Sequence, residues 1–287
     1  GSSMSIDLTG RVAVITGGGA GIGRAGALRL ANCGADIVIL EIDTSRCEQV
    51  AKEIKSVGAK VLAIPTDVMD TAQIRDAVKE TDKVFGRADI LINNAGGTRY
   101  VPFLEQSERS WRKHIDINLV SMFAATSAVV PLMIRGGIGG SIVNVSSIEA
   151  SRGAPMVAVY AACKAGMENF TRSMALELSE HEIRVNCIAP DKTVTPGARG
   201  NRTGPIDRAK WRVPTAEEQD KMNRLIPLLR EGEDTECGDA IAFLCSDMSS
   251  YVTGVTLPVD GGTSAAKGWH RGSKGQWTQL EGLRPDR

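Results

Sequence analysis

The chain has 287 residues, of which 42% are hydrophobic and 24% charged, and its 34 basic side chains balance 34 acidic ones. This length and apolar fraction are typical of one or two globular domains with a substantial core, and the zero net charge argues against nucleic acid as the main partner. The six cysteines are scattered without a C-x-x-C pair, and no uninterrupted run of 18 apolar residues occurs, so we expect no disulfide framework, no metal site and no membrane association.

Residues 1–3 are interpreted as an expression-tag remnant before a natural start at Met4. No signal peptide follows, so the sequence predicts a cytoplasmic protein. No linker or change of composition divides residues 4–263, which we expect to form a single domain. Residues 264–287 would be a polar C-terminal extension.

Short apolar segments alternate with helical segments along this domain. Segments rich in Val and Ile predict strands at 11–16, 36–40, 60–64, 89–93, 141–146, 184–188 and 254–260. The pattern between them predicts helices at 21–33, 44–57, 70–85, 107–135, 156–181 and 234–246. Several strands are apolar throughout, as in parallel strands buried on both faces. The repeated alternation predicts an α/β fold, a doubly wound parallel sheet of about seven strands with helices on both faces.

A glycine-rich turn, TGGGAGIGRA at 16–25, joins the first predicted strand to the first predicted helix. Glycines let the backbone approach a ligand closely, and the free N–H groups at a helix N-terminus attract a pyrophosphate. This context predicts a nucleotide site, although the spacing of Gly17, Gly21 and Gly23 differs from G-x-G-x-x-G. No Gly-Lys-Ser/Thr sequence occurs, which excludes a P-loop nucleotide hydrolase.

An acidic residue follows each of the next two predicted strands. Glu41 would accept hydrogen bonds from a ribose diol and repel a 2′-phosphate, so the sequence favours NAD over NADP. Asp67 would receive the adenine amino group, or would simply cap the helix that begins near Asp70.

Tyr160 and Lys164 lie four positions apart in a predicted helix and so share one face. A phenol with a pKa near ~10 is a poor base at neutral pH. An ammonium ~4–5 Å away, at an effective dielectric of ~20, would lower that pKa by about two to three, toward the range useful for proton transfer. The alternative is a surface pair without a role.

These motifs share the chain with NNAG (93–96), Asn118 and Ser147, and they follow one another in a fixed order. In that combination the chain, over about residues 7–263, resembles the short-chain dehydrogenase/reductase family. The resemblance implies a Rossmann-like fold and an oxidoreductase that transfers a hydride between NAD(H) and a secondary alcohol or ketone.

The resemblance also implies a role for each candidate residue. Tyr160 would be the acid/base and Ser147 would hold the substrate oxygen. Lys164 would bind the nicotinamide ribose and tune Tyr160, and Asn118 would position a water that links Lys164 to solvent. The cofactor contacts implied are Gly17, Gly21, Ile22, Gly23, Glu41, Asp67, Val68, Asn94, Ala95, Gly96, Tyr160, Lys164, Pro190, Thr193 and Thr195.

Other residues near these motifs are interpreted differently. Asn93 would be structural, tying neighbouring strands together, and His114 would be a plain surface histidine. Asp191 follows Pro190 where the family usually has glycine. Its carboxylate would shift the loop or meet a polar substrate group.

The segment 191–232 would be the substrate lid. Its 197–213 part carries five basic residues and one acidic residue. It would receive the phosphates of a coenzyme A or acyl-carrier-protein substrate, or it would be a solvated mobile loop. Trp211 would instead stack on a bulky apolar substrate.

The sequence leaves the substrate open between a 3-oxoacyl thioester and a polycyclic alcohol such as a steroid. The resemblance implies a homotetramer or homodimer, with the helices near 107–135 and 156–181 in one interface. Trp269 and Trp277 suggest that the extension docks on its own or a neighbouring subunit.

Two other functions were weighed against this prediction. A catalytically silent dinucleotide-binding regulator is disfavoured by the complete set of catalytic candidates. A serine hydrolase built on Ser147 is disfavoured because no G-x-S-x-G occurs.

Overall fold

The computed structural model describes residues 5–280, so the predicted tag remnant (1–3) and the end of the extension (281–287) lie outside the described residues. The strands are β1 (Val12–Thr16), β2 (Asp36–Glu41), β3 (Val61–Pro65), β4 (Ile90–Asn93), β5 (Gly140–Val145), β6 (Ile183–Pro190), β7 (Thr193–Val194), β8 (Gly232–Glu233), β9 (Thr256–Val259), β10 (His270–Arg271) and β11 (Trp277–Thr278). The α-helices are α1 (Gly21–Asn32), α2 (Thr44–Ser56), α3 (Thr71–Phe85), α4 (Glu108–Ile115), α5 (Ser121–Gly136), α6 (Ala158–Glu177), α7 (Ala216–Arg224), α8 (Asp234–Cys245) and α9 (Thr263–Ala266).

Seven of these strands form one parallel sheet in the order β3-β2-β1-β4-β5-β6-β9. Ile15 of β1 lies beside Ile39 of β2 on one side and Ile92 of β4 on the other. The chain therefore winds outward from β1 in one direction and then returns to β4 to wind in the other. That reversal opens a crevice at the carboxyl ends of β1 and β4, where open α/β sheets bind ligands.

Helices cover both faces of the sheet because alternate residues of each strand point to opposite sides. On one face, Ala13 and Ile15 of β1 pack in a buried cluster with side chains of α1, α2 and α8. On the other face, Val12 and Val14 pack with side chains of α3, α5 and α6. The predicted doubly wound parallel sheet with helices on both faces is confirmed.

The segment predicted to be the substrate lid is ordered and has a polar core of its own. Helix α7 begins at a capping box of Thr215 and Glu218, and β7 pairs with β8. The guanidinium of Arg199 lies 2.6 Å from the Glu231 carboxylate, with both side chains nearly buried. The strand pair and this ion pair join the two ends of the segment to each other.

The extension packs on its own chain as far as it is described. Strands β10 and β11 form an antiparallel hairpin, and the Arg271 guanidinium lies 3.8 Å from the ring centroid of Trp277. Arg224 of α7 donates a hydrogen bond to the carbonyl of Arg271. The hairpin is thus attached to the lid.

One helical stretch, Glu108–Gly136, is long and apolar enough to cross a membrane, and half of its most apolar part is buried inside the fold. Its buried side chains pack against the sheet and α3. Such burial is also characteristic of a core helix in a globular domain.

The stability of the sheet depends on its interior isoleucines, and β2 offers a matched pair to test this. Ile39 is completely buried, whereas Ile42, just past the strand, is 65% exposed. We expect Ile39→Ala to lower the free energy of unfolding by about 2–5 kcal/mol and Ile42→Ala to change it by less than about 0.5 kcal/mol. Urea denaturation measures both, and equal losses would contradict the assigned orientation of β2.

Candidate functional site

A cavity of about 490 Å³ follows the crevice at the carboxyl ends of β1, β2 and β4. Gly17 and Gly21 of the glycine turn have φ of +63° and +56°, in the left-handed region that favours glycine. Helix α1 begins after Ala20 with no side-chain cap and no acidic residue in its first turn. Its first N–H groups and the positive end of its dipole are therefore available for an anion, which fits the pyrophosphate of a dinucleotide.

The cavity brings most of the predicted cofactor residues together. Those that line it are Gly17, Gly21, Ile22, Glu41, Asp67, Val68, Asn94, Ala95, Gly96 and Thr195. Sequence reasoning missed Ile117 and Arg202, which also line it. Ile117 directly precedes Asn118, so its position could have been read from that motif, whereas nothing in the sequence indicates that Arg202 reaches the cavity.

Glu41 is nearly buried at the far end of the cavity. Its carboxylate accepts hydrogen bonds from the backbone N–H groups of Gly19 at 3.0 Å and Asp43 at 3.1 Å. These bonds fix a negative charge in the wall of the cavity. Asp67 also contributes to this wall, and its carboxylate accepts a hydrogen bond from Met69 N–H at 3.0 Å.

Gly23 is predicted as a cofactor contact but packs inside the glycine turn. A Cβ there would lie 2.4 Å from both Asn94 Nδ2 and the carbonyl oxygen of Gly17. Asn94 Nδ2 donates to that same carbonyl at 3.0 Å. Asn93, in turn, donates to Asn144 of β5 at 2.9 Å, which confirms its predicted structural role between neighbouring strands.

Asn118 lies in a π-helical turn between α4 and α5, a local widening often found at functional sites. The buried side chain accepts a hydrogen bond from Gly97 N–H at 2.9 Å and donates to the carbonyls of Gly97 and His114 at 2.9 and 3.0 Å. It therefore braces the loop after β4. A Cβ on Gly96 would lie 2.6 Å from Asn118 Oδ1 and 3.2 Å from Lys164 Nζ, so only glycine fits between them.

His114 is half-buried and hydrogen-bonded, so the prediction of a plain surface histidine is wrong. Its Nδ1 lies 2.8 Å from the carbonyl of Ser110, and its Nε2 lies 3.2 Å from the hydroxyl of Thr98. A neutral ring with the proton on Nδ1 satisfies both contacts.

Ser147 and Tyr160 come together at the carboxyl end of β5. Ser147 caps the short helical turn Ile148–Ser151 by accepting a hydrogen bond from Glu149 N–H at 3.2 Å. Its hydroxyl is also a hydrogen-bond partner of the Tyr160 phenol. The two hydroxyls can therefore both donate hydrogen bonds to a single substrate oxygen atom.

Lys164 is buried one helical turn after Tyr160. Its ammonium donates a hydrogen bond to the carbonyl of Val145 at 2.8 Å and lies 5.6 Å from the centroid of the Tyr160 ring. Within residues 5–280, no acidic side chain forms an ion pair with it. Burial therefore lowers the pKa of Lys164 to about 8.

The pKa of Tyr160 is raised rather than lowered, because burial is the largest influence on it. Desolvation raises the pKa of Tyr160, and the hydrogen bond with Ser147 opposes that rise only in part. The phenol is consequently protonated at neutral pH. It is prepared to donate a proton rather than to accept one.

Five predicted cofactor residues are absent from the cavity lining: Gly23, Tyr160, Lys164, Pro190 and Thr193. Pro190 ends β6, and Thr193 lines a separate cavity of about 440 Å³ with Ile226 and Gly261. Between them Lys192 has a φ of +41° and its ammonium lies 3.2 Å from the Asp191 carboxylate. Asp191 thus forms an ion pair with its neighbour in the turn that replaces the expected Pro-Gly.

A larger cavity, of about 840 Å³, begins beside Ser147. The Ile148–Ser151 turn, Lys192 and Leu225 form its floor and one side. The start of the extension closes the other side with α9 and Trp269. Trp211 does not line it: the indole N–H donates to Asn201 at 3.3 Å, and the Arg208 guanidinium lies 4.7 Å from the ring centroid.

The protein thus combines a glycine turn, an Asn–Ser–Tyr–Lys group and a seven-stranded parallel sheet. A family model described as "Enoyl-(Acyl carrier protein) reductase" matches residues 17–264. The chain belongs to the short-chain dehydrogenase/reductase family. The resemblance predicted from the motifs is confirmed.

Relatives of known name cover nearly the whole chain. The 3-oxoacyl-[acyl-carrier-protein] reductase FabG of Thermotoga maritima is 38% identical, over 89% of this chain and 98% of that protein. The crystal structure of carveol dehydrogenase from Mycobacterium avium in complex with NAD has a TM-score of 0.82 and 32% identity, covering 90% of this chain and 99% of that one. A 7α-hydroxysteroid dehydrogenase complexed with NADH and 7-oxoglycochenodeoxycholic acid has a TM-score of 0.81 and 33% identity, covering 89% and 95%.

The buried ammonium predicts a specific dependence of stability on pH. Lys164 has a pKa of about 8 in the folded protein and an ordinary value of 10.5 when unfolded. Between these values the unfolded chain binds more protons, so the free energy of unfolding rises with pH, by up to about 3 kcal/mol. We expect Lys164→Met to lack this rise.

Urea denaturation of both proteins at a series of pH values from 7 to 10.5 measures the difference. Lys79→Met, on the exposed side of α3, is the matched control and should keep the wild-type pH dependence. Parallel curves for wild type and Lys164→Met would contradict the assigned burial of the charge.

Proposed function

We propose that the protein is a nicotinamide-dependent oxidoreductase that interconverts a secondary alcohol and a ketone. The observation that carries the proposal is the meeting of Ser147, Tyr160, Lys164 and Asn118 beside a cavity suited to a dinucleotide. The bound nicotinamide would supply or accept the hydride, which no side chain can do. The residues of this chain would orient the carbonyl and manage the proton.

In the direction of reduction, Ser147 and Tyr160 hydrogen-bond the carbonyl oxygen of the substrate. Negative charge develops on that oxygen as hydride reaches the carbon, and the two hydroxyls stabilise it. Tyr160 then gives up its proton. The raised pKa of the phenol suits this step because it keeps the proton in place until a strongly basic alkoxide forms.

Lys164 makes the return of that proton possible. Its ammonium stabilises the phenolate left after proton transfer, and its hydrogen bond to Val145 fixes its position. The Asn118 side chain holds the loop around Gly96, so that Lys164 and the cofactor cavity stay adjacent.

We favour NAD as the cofactor, on the position of Glu41. Its buried carboxylate borders the end of the cavity that would receive the adenosine ribose. A ribose diol would donate to it, whereas a 2′-phosphate would meet a like charge there, although Arg46 and Arg202 also line this cavity. The structures that resemble this chain include one with NAD and one with NADH.

We further propose a bulky apolar alcohol or ketone as the substrate. The cavity beside the Ile148–Ser151 turn presents Ile148, Leu225, Ala266 and Trp269, together with the basic side chains of Arg152, Lys192 and Lys267. Arg199 and Arg212 of the lid pair with Glu231 and Glu218, which leaves less basic charge for the phosphates of a coenzyme A thioester. A carveol dehydrogenase and a hydroxysteroid dehydrogenase are among the similar proteins.

A homo-oligomer remains part of the proposal, with α4, α5 and α6 at an interface. Apolar side chains stay partly exposed on this surface at Ile115, Phe123, Ile134 and Leu176. Exposed apolar groups on adjoining helices favour association with another copy.

Removing one oxygen atom at Tyr160 tests the mechanism. We expect Tyr160→Phe to lower kcat by about 10²–10⁴-fold, while NADH still binds, because the cavity lining does not include the phenol. Tyr251→Phe removes a phenol that is fully exposed and should leave kcat unchanged. The measurement is the nicotinamide absorbance with a panel of alcohols and ketones, using NAD(H) and NADP(H) in parallel.

Full turnover by Tyr160→Phe would overturn the assigned proton transfer. No turnover by the wild type on any alcohol or ketone, with NADH bound, would instead favour the silent regulator.

The extension makes the substrate preference testable. We expect Trp269→Ala to raise KM for a polycyclic ketone by about tenfold or more, because a large apolar wall is lost, and to change KM for a small ketone much less. Trp269→Phe should recover most of the affinity. An equal change of KM for both ketones would contradict a contact between Trp269 and the substrate.

A further inference from the structure

A short segment of the lid, residues 200–207, reaches away from the substrate cavity and attaches to α2. We call this segment the strap. Arg46 Nη2 donates to the carbonyl of Asn201 at 2.6 Å, and its Nε donates to the carbonyl of Gly204 at 2.9 Å. Asp43 accepts from Gly204 N–H at 2.7 Å, and Gln49 accepts from Ile206 N–H at 2.9 Å. Four hydrogen bonds thus join the strap backbone to three side chains at the start of α2.

The strap holds its own shape through Asn201, which is almost completely buried. The side-chain oxygen Oδ1 of Asn201 accepts hydrogen bonds from Asp207 N–H at 2.8 Å and from the Trp211 indole at 3.3 Å. Its amide donates to the carbonyls of Thr203 and Pro205 at 3.1 and 3.3 Å. The strap therefore behaves as a preformed unit, and its attachment to α2 is separate from its internal bonds.

The strap lies across one end of the cofactor cavity. Its root, at Thr195–Gly197, lines the cavity on the side of β6, and Arg46 lines it on the side of α2. Arg202, between the two, lines the cavity as well. A ligand that fills this cavity, with its adenosine half between Glu41 and Asp67, would lie against Arg202 of the strap.

Arg46 is the residue on which this closure depends most. It is 8% exposed and makes both of its strap contacts with carbonyl oxygens. A guanidinium engages two acceptors at once through its planar fork, which an ammonium cannot reproduce. Loss of Arg46 leaves two strap carbonyls without their donor and frees the centre of the strap from α2.

We propose that the strap is a latch over the adenosine end of the cofactor cavity, and that Arg46 is the positioning residue that closes it. This inference rests on the proposed function, because it requires a dinucleotide in that cavity. With the latch closed the dinucleotide neither enters nor leaves, and exchange proceeds through the fraction of molecules in which the strap has detached. Because each turnover converts NAD to NADH or the reverse, the exchange needed before the next turnover would then depend on detachment of the strap.

A latch has a kinetic signature that loss of a binding contact does not share. Detaching the strap raises the association and dissociation rates together and leaves the Kd nearly constant. Loss of a direct contact with the ligand raises the dissociation rate and weakens the Kd by the same factor, since association rates change little.

The test uses the full chain and NADH as the probe. Dissociation is followed by stopped-flow mixing of the NADH-loaded protein with excess NAD, read from nicotinamide fluorescence, and association by direct mixing with NADH. We expect Arg46→Ala to raise both rates by about 10- to 100-fold, the range set by two net hydrogen bonds. Gln49→Ala removes only the bond to Ile206 and should raise both rates by a smaller factor.

Lys52→Ala, at an exposed position of the same helix, is the matched control and should keep both wild-type rates. Gln49→Ala also keeps the proposal falsifiable if Arg46→Ala does not fold. Unchanged rates in the strap variants, or a rise in dissociation alone, would overturn the latch while leaving the proposed oxidoreductase intact. Failure of wild-type protein to bind NADH would overturn both.

Discussion

The burial of one ammonium, that of Lys164, imposes the strongest constraint on the site. Transfer of a charge from water into a protein interior is unfavourable unless it is paired, and within residues 5–280 the partners of Lys164 are the Val145 carbonyl and the ring of Tyr160. The surrounding structure is arranged to keep this group in place. Gly96 leaves room for it, and the π-helical turn at Asn118 ties α4 to the loop that contains Gly96. A fold does not gain stability from such a charge, so its presence indicates a function.

The same edge of the sheet gathers the remaining functional groups. Strands β1, β2 and β4 end at the cofactor cavity, and β5 ends at Ser147. The lid continues from β6 and contacts both regions, with α7 supporting the extension and the strap reaching α2. One segment of chain therefore links the substrate cavity to the opposite end of the cofactor cavity. Under the proposed function, one element would therefore border both the substrate and the cofactor.

Much of this arrangement could be predicted from the sequence. The apolar strands and the helices between them gave a parallel sheet because their periodicity is local, and the glycine turn was placed correctly because only glycine suits its φ angles. The direction in which the pKa of Tyr160 is shifted could not be predicted in the same way. Spacing shows that Lys164 is near, but the sequence does not reveal how far burial removes both groups from water. The strap was missed for a related reason, since Arg46 and Gly204 are 158 positions apart and no local pattern joins them.

The central claim is that Lys164 is a buried cation with a depressed pKa. Nuclear magnetic resonance of the protein with ¹³C-labelled lysine, with the Lys164 signal assigned by its loss in Lys164→Met, measures that pKa directly. We expect the Lys164 signal to titrate with a pKa of about 8, well separated from the signals of the other lysines. A Lys164 signal that titrates with the exposed lysines, above pH ~10, would contradict it.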